Sequence, residues 1–63
     1  MSKLKERRDE LRLTQRQVAE KIGIAESAYQ RYEYNKMEPG VSMALKIAKA
    51  LNTTVEELYS SSI

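Results

Sequence analysis

Residues 14–34 read Thr-Gln-Arg-Gln-Val-Ala-Glu-Lys-Ile-Gly-Ile-Ala-Glu-Ser-Ala-Tyr-Gln-Arg-Tyr-Glu-Tyr, and this run decides the fold. Thr14 followed three residues later by Gln17 is a capping box: the hydroxyl accepts from the Gln17 amide while the Gln17 side chain reaches back. A helix opens there, with Val18, Ala19 and Ile22 on its inner face. Gly23 stops it, because glycine takes the positive φ that a helix end often needs. Ile24 leads directly into a second helix, Glu26 to Tyr34, carrying Ala28, Tyr29 and Tyr32 at helical spacing. Asn35 follows, the next best residue to glycine for a left-handed end. The run therefore predicts two short helices joined by a tight turn, with the second free to project from the body.

The flanks extend the same reading. Leu4 and Leu11, seven apart among charged residues, predict a surface helix over about Ser2 to Leu11, and Leu13 begins a short connection. Pro39-Gly40 marks a loop. A fourth helix is expected over about Val41 to Leu51, patterned by Ala44, Leu45, Ile47, Ala48 and Leu51, with Asn52 ending it. Thr54 and Glu57 repeat the capping box and open a last short helix containing Val55, Leu58 and Tyr59; the tail from Ser60 to Ile63 is expected to fray. Strand alternation, internal repeats and interdomain linkers are absent. The fold class is all-α, five short helices in a single domain over residues 1–63.

The 63 residues contain neither cysteine nor histidine, which removes disulfides, thiolate metal sites, the commonest metal ligand and the commonest general base. Nothing groups the remaining Tyr, Lys and carboxylates into a catalytic set, so neither enzyme activity nor a metal or cofactor is expected. No apolar stretch approaches the roughly 20 residues of a membrane span. The N-terminus is charged, unlike a signal peptide, so a cytoplasmic protein, bacterial or phage-encoded, is the expectation. The formal net charge is only +2. Its distribution is less even: residues 1–36 carry nine bases against six acids, and the remainder two bases against three acids. The basic half is where a polyanion would sit, although an ordinary solvated surface reads the same way on charge alone.

The order of residue types narrows this further. Leu13-Thr14-Gln15, Val18-Ala19, Ile22-Gly23-Ile24, Ala28-Tyr29, Tyr32-Glu33, Asn35-Lys36, Pro39, the run Leu45 to Leu51 and Val55-Glu56-Glu57-Leu58 occur in one register. In that register the chain closely resembles the phage-repressor and Cro-like helix-turn-helix family, the XRE type, from about Leu4 to Tyr59. The resemblance implies the lambda-repressor-like fold, with the helix-turn-helix over about residues 15–34. It implies a protein that binds double-stranded DNA, usually as a dimer on a palindromic operator, and regulates transcription. It also makes Ala19 and Ala28 the small residues that let the two helices cross closely, and Arg8 and Glu33 an interior ion pair.

Recognition helices read bases from their first two turns. By register with the family, Glu26, Ser27, Gln30 and Arg31 are the expected base contacts. Arg suits guanine, Gln suits adenine and Glu can accept from cytosine. Glu26 keeps a second reading, since an acid in a first turn favours the helix dipole with or without DNA. Arg31 could serve a phosphate instead. For phosphates the candidates are Thr14, Gln15, Arg16, Tyr34, Asn35, Lys36 and Ser42. The family's residue at the position of Gln15 commonly clamps the backbone, and Thr14 and Gln15 open a helix whose free amides suit an anion. Tyr29 and Tyr32 fall on the apolar stripe, as core residues do; Tyr34 falls outside it. Three departures from the family pattern stand out. Arg12 replaces a glycine after the first helix, Ala25 stands where a Ser or Thr caps the third, and Asn35 replaces another glycine.

One such domain covers too little DNA for specificity in a genome, so a homodimer is expected. The expected dimerisation segment is residues 52–63, through Asn52, Val55, Tyr59 and Ile63, unless these residues only close the core. A rival reading is a protein-interaction module, such as an antitoxin or anti-repressor, that keeps the fold.

Overall fold

The computed structural model describes residues 2–59. Helices α1 (Leu4–Glu10), α2 (Gln15–Ile22), α3 (Glu26–Glu33), α4 (Val41–Ala50) and α5 (Val55–Tyr59) follow one another through short connections, and no strand occurs among the described residues. Against the sequence expectation, α1 starts two residues later and ends one residue earlier. Lys3 is spent at its start, donating its amide to the Leu58 carbonyl at 2.8 Å. At the other end Arg12 turns left-handed, with φ 58°.

The capping box of α2 is present in both directions: the Gln17 amide donates to Thr14 Oγ1 at 3.0 Å, and the Thr14 amide donates to Gln17 Oε1 at 2.8 Å. At its far end Gly23 is left-handed, and the Ile24 amide reaches back five residues to the Ala19 carbonyl at 3.0 Å. The same hook closes three other helices. Leu13 donates to Arg8 (3.1 Å), Lys36 to Arg31 (2.8 Å) and Thr53 to Ala48 (2.9 Å). At the centre of these three hooks stand Arg12, Asn35 and Asn52, with φ of 58°, 59° and 54°. The hook needs a left-handed residue because only that turn brings the next amide over the last open carbonyls.

Leu4, Val18, Ala19, Ile22, Tyr29, Ile47, Ala48, Leu51 and Leu58 form one buried cluster. It joins α2 to α3 and α4, with α1 lying on α3 and α5 on α4. Ala19 is buried and Ala28 half-buried; Tyr29 is fully enclosed, and Tyr32 packs against the cluster's margin. Of the two apolar residues in α5, Leu58 is core while Val55 is half-buried. One apolar position departs from expectation. The buried stripe of α4 runs through Ala44, Ile47, Ala48 and the capping Leu51, at i, i+3, i+4 and i+7, so Leu45 lies one step round the helix and is 55% exposed.

Candidate nucleic-acid interface

Helix α3 is seated by Tyr29 in the core and tied to α1 by one buried ion pair. The Glu33 side chain is fully enclosed, and Arg8 meets it with two prongs, Nε to Oε2 at 2.7 Å and a terminal nitrogen to Oε1 at 3.1 Å. The other terminal nitrogen of Arg8 donates to the Leu13 carbonyl at 2.8 Å, so one guanidinium ties α1, the first connection and the end of α3 together. Burial alone would raise the Glu33 carboxyl, but hydrogen bonds led by Arg8 and Gln15 outweigh it and hold the group below its usual range. Arg8 is raised in turn, chiefly by its hydrogen bond to Glu33. The Tyr29 hydroxyl neighbours this pair without completing a hydrogen bond, and burial pushes its proton affinity up.

With its inner face fixed by Tyr29 and Glu33, α3 turns Glu26, Ser27 and Arg31 to solvent and leaves Gln30 half-buried. Arg31 and Lys36 have no salt-bridge partner among the described residues, whereas Arg16 lies 3.8 Å from Glu20. Ala25 precedes the helix in an extended conformation with no side-chain cap. The Ala28 amide turns back to the Ala25 carbonyl at 3.1 Å, and the Glu26 and Ser27 amides are left to water or a ligand.

The phosphate candidates surround this helix. The Thr14 hydroxyl accepts from Gln17, yet its own proton remains free to be donated, so capping and anion binding do not compete. Tyr34 is 56% exposed. Its hydroxyl accepts from Gln15 Nε2 at 3.2 Å and can pass its proton outward. Asn35 and Lys36 form the exposed hook after α3, and Ser42 is exposed in the first turn of α4.

Three features escaped sequence reasoning. Gln15 is bonded on all sides: Nε2 donates to Glu33 Oε1 at 3.0 Å as well as to Tyr34, and Oε1 accepts from Gln30 Nε2 at 3.0 Å. Arg7 caps the end of α4, donating to the carbonyls of Leu51 and Asn52 at 2.9 Å each. Both depend on residues far apart in the chain that no local pattern pairs. The third is an apolar groove lined by Pro39, Val41, Ala44, Leu45, Val55 and Tyr59, with Glu38 at its edge. Val41 is 81% exposed there. The expected dimer residues Val55 and Tyr59 thus lie beside an apolar face of α4, Asn52 is an exposed helix end, and Ile63 lies outside the described residues. The i, i+4 spacing of Val41 and Leu45 was the signal available in the sequence.

The sequence model of a family described as Helix-turn-helix matches residues 4–58. The cryptic phage CTXphi transcriptional repressor RstR of Vibrio cholerae serotype O1 is 38% identical over 60 residues, covering 89% of this chain and 54% of that protein. The chain therefore spans about half the length of RstR. Two uncharacterized HTH-type transcriptional regulators of Archaeoglobus fulgidus are similar along most of their length. One is 28% identical over 58 residues, 92% of this chain and 82% of the relative. The other is 29% identical over 58 residues, 92% and 83%.

Proposed function

The chain belongs to the helix-turn-helix family of DNA-binding transcriptional regulators, and from that premise we propose that it is a repressor binding a palindromic operator as a homodimer. The observation that carries this reading is α3 itself. A buried ion pair anchors its last turn, and its outer surface presents Glu26, Ser27 and Arg31, with half-buried Gln30 beside them. In this reading α3 enters the major groove, and Thr14, the Gln15 and Arg16 amides, Tyr34, Asn35, Lys36 and Ser42 meet the flanking phosphates. The sense of regulation rests on the similarity to RstR.

The second subunit packs against the face of Val41, Leu45, Val55 and Tyr59. A monomer that leaves Val41 and Leu45 bare beside an apolar groove has apolar surface to gain from a symmetric partner. This face widens the segment expected from sequence, 52–63, to include α4.

Selection of bound duplexes from a random pool tests the whole reading, because it reports half-site, spacing and symmetry together. A palindromic consensus is expected, with affinity falling by a log–log salt slope of roughly −0.9 for each phosphate neutralised. No enrichment, together with salt-independent retention, would sink the proposal and leave a protein-interaction module.

A further inference from the structure

We infer that Arg12 binds a DNA phosphate beside the start of α2, and that the chain tolerates a strained hook after α1 to hold it there; this rests on α2 and α3 being the DNA-facing pair. Four helices end in the same left-handed hook, turning on Arg12, Gly23, Asn35 and Asn52. Glycine has no Cβ to clash in that conformation, and the short polar side chain of asparagine tolerates it. Arginine has neither advantage. The strain at φ 58° therefore has to be offset by something the guanidinium does.

Nothing on the protein supplies it. Arg12 is exposed and forms no salt bridge among the described residues. The two acids nearest in sequence are engaged elsewhere, Asp9 with Lys5 and Arg8, Glu10 with Arg7. The backbone that carries Arg12 is fixed on both sides. Its own amide donates to the Asp9 carbonyl at 3.0 Å, and the next amide, of Leu13, donates to the Arg8 carbonyl at 3.1 Å. The Leu13 carbonyl accepts in turn from the Arg8 side chain at 2.8 Å. A free guanidinium thus hangs from a rigid stem. Two residues on stands Thr14, the first of the proposed phosphate ligands, and two residues of chain span at most about 7 Å. A planar fork of donors matches a phosphate's paired oxygens, and strained residues cluster at such ligand clamps.

A cation just past a helix end also suits the helix dipole. The two roles predict opposite signs for Arg12→Asn, which installs the residue that two other hooks use. If Arg12 serves DNA, the free variant gains stability and loses binding; if it serves the end of α1, stability falls. The test compares wild type, Arg12→Asn and Arg12→Lys by urea unfolding and by titration of two duplexes, the selected consensus and an unrelated sequence, over a range of salt. Arg12→Asn should raise the urea midpoint and weaken both duplexes. Per bound subunit the log–log salt slope should flatten by roughly 0.9, a loss of roughly eightfold in affinity at about 0.1 M salt. Arg12→Lys keeps the charge and should keep the slope. A lower midpoint in Arg12→Asn, an unchanged slope, or a loss confined to the consensus duplex each overturns the inference and leaves the proposed function standing. So does a loss in Arg12→Lys as large as that in Arg12→Asn. If the wild-type chain binds neither duplex, the reading beneath the inference has failed first.

Discussion

Glu33 is the residue on which the most depends, since removing either partner of a buried ion pair strands the other. Glu33→Ala and Arg8→Ala are each expected to cost about 3–5 kcal/mol. That is a large part of the stability of a chain this small, and urea unfolding monitored by circular dichroism would measure it. The pH dependence has a definite sign. The folded value of Glu33 lies below its ordinary one, so the unfolded chain takes up the proton first as pH falls. Its contribution is complete above about pH 4.3 and is lost as pH drops through the lower folded value. Urea midpoints followed downward from pH 6 should therefore fall more steeply in the wild-type chain than in Glu33→Gln. Arg31 and Lys36 divide differently. If Arg31 reads a base, Arg31→Ala relaxes preference at one position, whereas Lys36→Ala weakens binding on all sequences and reduces the salt slope by about one. Equal, sequence-blind losses would make Arg31 a phosphate ligand. The partnership of Arg8 with Glu33 could be expected from register with the family. The role of Gln15 could not, because it depends on which atoms of three separate side chains come within bonding distance.

Helices α2 and α3 are where local chemistry and final structure agree best. Thr14, Gln17 and Gly23 punctuate α2 as their chemistry requires, and the bare start of α3 at Ala25 is equally local. Ala25 already has the extended backbone of a capping residue, so Ala25→Ser needs no rearrangement to supply the missing acceptor. It should raise stability by about 0.5–2 kcal/mol, read as a higher urea midpoint. The Ala28 amide already bonds to the Ala25 carbonyl, so the gain would come through the Ser27 amide, and a lower midpoint would rule it out. The hooks after α3 and α4 turn on Asn35 and Asn52, residue types suited to a left-handed end, whereas the hook after α1 turns on Arg12, in a position where the family has glycine. Arg12 carries the greatest strain of the three, because a short polar side chain tolerates this conformation and a long one does not. The helix boundaries of α1 shifted for a tertiary reason, the claim of Leu58 on the Lys3 amide, which no window of sequence contains.

At the scale of the whole molecule, the periodicity of α4 predicted its buried stripe but placed Leu45 within it, and Leu45 instead faces out beside Val41. A helix with two adjacent apolar stripes has one more face than its own core can use. If the proposed dimer forms through this face, Leu45→Glu shifts sedimentation from dimer to monomer without unfolding the chain, since the residue is exposed in the single subunit. A dimer that persists in both Leu45→Glu and Val41→Glu would place the interface elsewhere. The bond from Lys3 to Leu58, backed by Arg7 on the end of α4, has a consequence for topology: the two margins of the described fold touch. A flexible tether from the end of one copy to the start of another would leave both copies undistorted. Joining the margins within one copy and cutting the chain elsewhere, between α3 and α4, should give a circular permutant with the same five helices. The order in which this sequence is synthesised is then separable from the shape it takes.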